Sequence, residues 1–274
     1  MSTAAPTDVI TSVANSRVKH LVALRRRRTR DAEGAWLIEG YDELQHAVAA
    51  GVVPREVYLC PALIEDDPLG LAARLAAIAP VFHLSRPAFE KAAYRTGPDG
   101  WLALAPGAES ALEELELGPN PLVIVCGSVE KPGNLGSILR TADAAGATAV
   151  VSVDPVTDWG NPNIIRASKG ALFSVPVASA STADFLGWAR SNGLSTVATT
   201  PAATEFVTDL DLSGPTAILV GAEHEGLSDE LLTAADRTAK LPMYGRVDSL
   251  NVAVSAAITV YEAVRQRQVT ARTT

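Results

Sequence analysis

The sequence predicts an α/β protein in two parts: a mostly parallel sheet preceded by a smaller α/β domain. Three observations carry that expectation. Residues 122–126 form a continuous apolar run, the composition of a strand buried on both faces, and similar runs recur at 149–153, 194–199 and 217–220. Helical stretches at 137–145, 182–192 and 228–235 alternate with them, as the crossovers of a parallel sheet require. The polar, acidic stretch 107–118 ends in Pro119-Asn120-Pro121 and reads as an interdomain linker, because prolines and charge break the periodicity there. The expected domains are therefore 1–110 and 119–268.

In the first part, Val18, Leu21, Val22 and Leu24 sit at helical spacing among arginines, which predicts one short helix with a basic face over 15–30. A strand follows at 36–40, then a helix at 41–50 closed by Gly51. Residues 57–60 read as a strand, 70–78 as an Ala/Leu-rich helix, 81–84 as a strand and 86–93 as a helix. The apolar piece 101–105 precedes the linker.

At 274 residues and 47% hydrophobic content, the chain is long enough for one or two sizeable cores. It lacks the roughly 18 consecutive apolar residues of a membrane span, and its polar opening lacks the apolar region of a signal peptide. A cytoplasmic protein is expected. Cys60 and Cys126 stand far apart without metal-ligand spacing, so they read as reduced structural thiols, with neither disulfide nor metal site. The net charge of −8 argues at first against a nucleic-acid partner. Residues 1–34, however, carry seven basic side chains (Arg17, Lys19, Arg25, Arg26, Arg27, Arg28, Arg30) against three acidic ones, a balance of +4 that leaves −12 on the other 240. A basic arm on an acidic body can hold an RNA backbone locally; its plain alternative is a solvated basic helix.

Three clusters carry chemistry-bearing residues. The first, 130–143, follows the strand at 122–126 with two glycines and Asn134, and places Arg140 on the first or second turn of a helix. It has neither a G-x-G-x-x-G nor a Walker A ending, so dinucleotide and P-loop readings gain no support. The second, 218–228, sets Glu223, His224 and Glu225 in a glycine turn, with Ser228 as a helix N-cap. His224 suits a general base by its titration range but is a lone loop histidine. The third, 241–257, ends a loop in Ser249 and Asn251 before a helix of small residues, for which Ser249 alone is an adequate cap.

Together the clusters resemble the SpoU/TrmH branch of the SPOUT methyltransferases, with N-x-G-x-x-x-R-T-A at 134–142, V-G-x-E-x-x-G-L-S at 220–228 and P-M-x-G-x-x-x-S-L-N-V at 242–252. The N-terminal part is similar to the small α/β RNA-binding domain that precedes many such catalytic domains, with Leu37-Ile38-Glu39-Gly40 near its start. The resemblance implies a C-terminal trefoil knot, which ordinary topology rules would not predict, and a homodimer. It implies S-adenosylmethionine held by Thr199, Thr200, Gly221, Leu241, Met243 and Leu250. It implies a catalytic set of Arg140 with Asn134, Glu223, Ser249 and Asn251, and transfer of a methyl group to a ribose 2'-hydroxyl of structured RNA. Ribosomal RNA of the large subunit is the first expectation and transfer RNA the second. RNA contacts are expected at Arg17, Lys19, Arg25, Arg26, Arg27 and Arg28, and at Arg166 and Ser168, for which a helix cap is the alternative. Two other classes remain open: a non-catalytic RNA-binding ribosome-assembly factor, which the intact catalytic set disfavours, and a dinucleotide-dependent enzyme.

Overall fold

The structure is a computed structural model and describes residues 9–222 and 225–273. It divides into two compact units, Met1–Gly107 with Gly160–Phe173, and Ala108–Trp159 with Ser174–Thr274. Glu223 and His224 lie outside the described residues.

In the first unit the chain runs α1 (Ser16–Ala23), α2 (Arg27–Glu33), β1 (Ala35–Glu39), α3 (Tyr41–Ala49), β2 (Glu56–Leu59), α4 (Leu71–Ile78), β3 (Val81–His83), α5 (Arg86–Ala92) and β4 (Trp101–Pro106). The four strands form a mixed sheet in the order β1-β4-β2-β3, with β4 antiparallel to both neighbours and β2 parallel to β3. Val18, Leu21 and Leu24 are buried in one core with Leu37, Tyr58, Ala88, Phe89 and Leu104. The predicted basic arm is thus a docked part of the fold.

It is also two helices rather than one. Arg30 is buried and its guanidinium donates to the Leu24 and Arg25 carbonyls at 3.0 and 2.8 Å, so the break between the helices is held by an arginine that satisfies exposed carbonyl groups. Arg25 donates to the Lys91 carbonyl at 2.7 Å and to that of Ala93. Arg17 pairs with Glu56 and lies 3.8 Å over the Phe82 ring. Three of the seven basic residues therefore serve packing, whereas Lys19, Arg26, Arg27 and Arg28 remain exposed.

The second unit opens with β5 (Glu109–Ser110), β6 (Leu122–Gly127), α6 (Pro132–Ala145) and β7 (Ala149–Val153). After α7 (Pro162–Ala167) and α8 (Ala171–Ser174) come β8 (Val177–Ala180), α9 (Thr182–Ser191), β9 (Ser195–Thr199), β10 (Glu205–Phe206), β11 (Thr216–Gly221), α10 (Asp229–Ala234), β12 (Arg237–Lys240) and α11 (Val252–Thr273). Eight strands make one sheet in the order β10-β12-β9-β11-β6-β7-β8-β5, and each pairing is parallel. The stretch read as a linker is partly built into this unit. Its β5 extends the sheet edge beside β8, and Leu112 and Leu115 are buried in the core.

The long C-terminal helix α11 packs on α6 and β11. Arg267 fastens it to the opposite end of the sheet, donating to the carbonyls of Asn120, Pro121, Leu212 and Gly214 at 2.6 to 3.2 Å. Several charge-assisted bonds from one side chain offset the cost of partly burying it. Cys60 and Cys126 are free and buried, and burial pushes the Cys126 thiol up to about 12, which leaves it unreactive near neutrality.

Candidate active site

The carboxyl ends of β12, β9 and β11, neighbours in the sheet, are where the second and third sequence clusters meet. Ligand crevices of open parallel sheets form at such ends. Here the ends are stitched together: the Thr199 hydroxyl donates to the Leu219 carbonyl at 2.9 Å, and the Thr200 N–H to the Ala239 carbonyl at 2.9 Å. A cavity of about 760 Å³ opens above them. Thr199, Thr200, Gly221, Leu241, Met243 and Leu250 all line it, as does Ser249. Six positions drawn from three separate strand exits thus share one concave surface of the size that holds a small-molecule cofactor.

The wall formed by the second cluster depends on a glycine. Ala222 and Gly226 exchange backbone hydrogen bonds of 3.1 and 3.0 Å, folding the turn back over the end of β11. A Cβ on Gly221 would lie 2.1 Å from the carbonyl carbon of Gly226 and 2.2 Å from the Leu227 nitrogen, so the turn closes only over glycine. Ser228 caps α10, its hydroxyl accepting the Leu231 N–H at 3.3 Å, as its place in the sequence suggests.

The third cluster forms the loop from Leu241 to the start of α11. The cap of this helix is Asn251, whose Oδ1 accepts the Ala253 N–H at 3.0 Å, and not Ser249, whose hydroxyl instead approaches Asp248 Oδ1 at 3.4 Å. Asn251 also reaches the first cluster, since its Nδ2 donates to Asn134 Oδ1 at 3.1 Å.

The first cluster differs from the sequence reading. Its two glycines lie inside α6, which starts at Pro132, a residue whose fixed φ and missing N–H suit the first helical position. Asn134 therefore stands in the first turn of the helix and Arg140 in the third, about 9 Å further along the axis. Arg140 is exposed. It does not line the cavity.

Comparison with known proteins bears directly on this arrangement. The family model described as SpoU rRNA Methylase family matches residues 121–261, and one described as MRM3-like substrate binding domain matches residues 15–103. A solved RNA 2'-O ribose methyltransferase is 40% identical, covers 95% of this chain and 100% of its own, and superposes with a TM-score of 0.81. The chain belongs to the SpoU rRNA methylase family. Among other relatives, an AdoMet-bound rRNA methyltransferase from Sinorhizobium meliloti is 31% identical with a TM-score of 0.85, covering 94% of this chain and 97% of that one. A 23S rRNA guanosine 2'-O-methyltransferase of Bacillus subtilis is 29% identical over 92% of this chain and 97% of its own length.

Of the RNA positions expected for a SpoU-type chain, Arg166 is exposed and donates to Asn163 Oδ1 at 3.1 Å. Ser168 corrects the reading: it is fully buried, and its hydroxyl donates to the Ile165 carbonyl at 2.7 Å, so it closes α7 and is not presented to a ligand. Sequence reasoning missed Phe206 and Lys240, which line the cavity with the Lys240 ammonium 5.2 Å from the Phe206 ring centre. Both lie on strands too short and too polar to show in the pattern, although Lys240 directly precedes Leu241. Among the described residues no group of His, Cys, Asp and Glu could hold a metal ion, and no helix is long and apolar enough to cross a membrane.

Proposed function

We propose that this chain, as a cytoplasmic homodimer, transfers a methyl group from S-adenosylmethionine to a ribose 2'-hydroxyl of large-subunit ribosomal RNA. The observation that carries the reading is the single cavity lined by Thr199, Thr200, Gly221, Leu241, Met243 and Leu250, with the Asn134–Asn251 hydrogen bond beside it. The residues fit that cofactor. Leu241, Met243 and Leu250 supply apolar walls for an adenine ring, and the close backbone at Gly221 offers N–H and C=O groups to its edge.

When bound, the cofactor supplies an electrophilic methyl group on a sulfonium, which leaves the chain chiefly the task of placing the 2'-oxygen in line with it. Asn134 and Asn251 hold the first turns of α6 and α11 together and orient the sugar, with Ser249 closing the loop over it. Arg140 is a poor general base because guanidinium stays protonated. Its role is to bind the phosphate beside the target ribose and stabilise negative charge developing on the 2'-oxygen. The exposed Lys19, Arg26, Arg27, Arg28 and Arg166 contact the RNA backbone.

Two features support the remaining parts of the reading. On α11, Val254, Ile258 and Tyr261 are exposed along one face, opposite buried Val252, Ala256, Val260 and Ala263, and such a stripe suits a second copy of the chain. A trefoil knot is consistent with α11 returning from β12, past β9, to pack on β11 and α6. The test is incubation with methyl-labelled S-adenosylmethionine and undermethylated ribosomal or transfer RNA, followed by nuclease digestion. Label in 2'-O-methylnucleosides from 23S rRNA is the expected result; label in base-methylated nucleosides, or none despite measured cofactor binding and intact precursor subunits, would overturn the reading.

A further inference from the structure

We infer that Tyr94 is a stacking surface for an unpaired RNA base, set in place by Asn163 and Arg166. This rests on the reading that the chain acts on RNA. Tyr94 is among the large side chains that the first unit leaves exposed, at 42%. Its hydroxyl accepts a hydrogen bond from Asn163 Nδ2 at 3.2 Å, and Asn163 Oδ1 in turn accepts from Arg166 Nη2 at 3.1 Å. Two hydrogen bonds join the three side chains in series: a guanidinium, a half-buried amide and a phenol ring.

Both backbones that carry this series are fixed. Glu39, at the end of β1 and only 7% exposed, accepts the N–H of Tyr94 at 2.7 Å and that of Arg95 at 3.3 Å. Arg95 pairs with Asp99 at 3.0 Å, closing the loop that follows the tyrosine. Residues 160–173, which contain Asn163 and Arg166, fold with the first unit although they lie far along the chain. They dock closely. A Cβ on Gly170 would lie 2.4 Å from the Cβ of His46, and one on Gly160 would lie 2.4 Å from the indole nitrogen of Trp36. A buried carboxylate and two close backbone approaches thus hold an exposed aromatic ring and a cation in a fixed relation, which lowers the entropy cost of binding.

The chemistry favours single-stranded RNA. Proteins read unpaired bases by stacking them on aromatic rings and guanidinium planes and by hydrogen bonds from amides, while an adjacent cation takes the phosphate. Here Asn163 bonds the ring hydroxyl and Arg166 bonds Asn163, so an amide and a cation accompany the ring. Tyr94 is anchored to Glu39 through its backbone N–H, a bond that a change of its side chain leaves in place.

The experiment measures binding of the full chain to an oligouridylate and to 23S rRNA over a series of salt concentrations, with S-adenosylmethionine affinity measured in parallel. Tyr94→Ala is expected to weaken RNA binding by about 5- to 100-fold, the range for loss of one stacked base. It should leave the salt dependence and the cofactor affinity unchanged. Tyr94→Phe, which keeps the ring, is expected to stay within about threefold of the parent, whereas Arg166→Ala should lower the salt slope by about one phosphate contact. Tyr94→Ala that binds both RNAs as the parent does would overturn the inference while leaving the proposed function standing. A parent chain that binds neither RNA would remove the proposed function and the inference with it.

Discussion

One substitution separates two of the bonds that Asn251 makes. Its Oδ1 caps α11 through the Ala253 N–H, and its Nδ2 ties that cap to Asn134 on α6. Serine caps a helix about as well as asparagine, but its shorter side chain cannot span to Asn134; alanine makes neither bond. A lost cap costs about 1 kcal/mol and an exposed amide-to-amide bond about 0.5–1 kcal/mol. Asn251→Ala is therefore expected to lose about 1.5–2 kcal/mol and Asn251→Ser about 0.5–1 kcal/mol, which correspond to falls in Tm of about 3–8 °C and 1–4 °C for a unit of this size. Turnover should follow the other bond. If the tie positions the sugar, both variants lose kcat/KM by a similar factor, on the order of 10- to 100-fold, and adding Asn134→Ala to either costs little more. Thermal melts and single-turnover methylation of rRNA measure the two effects. Asn251→Ser with parental turnover would refute the positioning argument, whatever its stability.

Gly221→Ala is expected to abolish or weaken S-adenosylmethionine binding by at least about tenfold, because the added carbon meets backbone atoms that can give way only by opening the turn; calorimetric titration measures it. Arg140→Lys should lower kcat by about 100-fold with cofactor affinity unchanged, since lysine cannot reproduce the planar fork; near-parental turnover would exclude a bidentate role. Ile258→Glu places a charge within the exposed stripe of α11 and should shift a dimer to monomer in sedimentation velocity. Asp236 gives a pH dependence: hydrogen bonds from the N–H and hydroxyl of Thr196, at 2.8 and 2.7 Å, hold its carboxyl below the ordinary aspartate range. Its stabilising contribution is complete above the unfolded pKa of about 3.9 and is lost as pH falls through the lower folded value. Asp236→Asn should therefore destabilise the fold at neutral pH and flatten the acid limb of a denaturant-midpoint profile.

The central strands of the sheet were legible because burial on both faces leaves a largely apolar run, and β7 falls on the predicted residues without adjustment. The start of α6 was not, because Gly133 and Gly136 count against a helix interior while the decisive signal was Pro132 at its first position. Strand β12 carries Arg237, Thr238 and Lys240 and is half-exposed, so its pattern says loop although its backbone pairs with β9 and β10. The break after α1 depends on Arg30 reaching carbonyls five and six residues behind it, a contact that no spacing rule encodes. Ser168 was open to two readings in sequence, an RNA contact or a helix cap; its hydroxyl closes α7, a six-residue helix whose other end Asn161 caps.

The strand order explains why motifs spread over more than a hundred residues act together. After β8 the chain crosses to the other side of β6 and lays down β9 two places away, leaving a gap that β11 fills. β12 then adds outside β9, so the exits of β12, β9 and β11 are adjacent although their sequence order is β9, β11, β12. Each exit contributes to the cavity: Thr199 and Thr200, Gly221, Leu241 and Met243. The loop after β12 must then return over those exits to reach α11, and that return places Ser249 and Leu250 on the cavity and Asn251 against α6. A cofactor seated there would touch all three strand exits and the returning loop at once. Binding should therefore stabilise the second unit against unfolding more than the first, by an amount that grows with cofactor concentration.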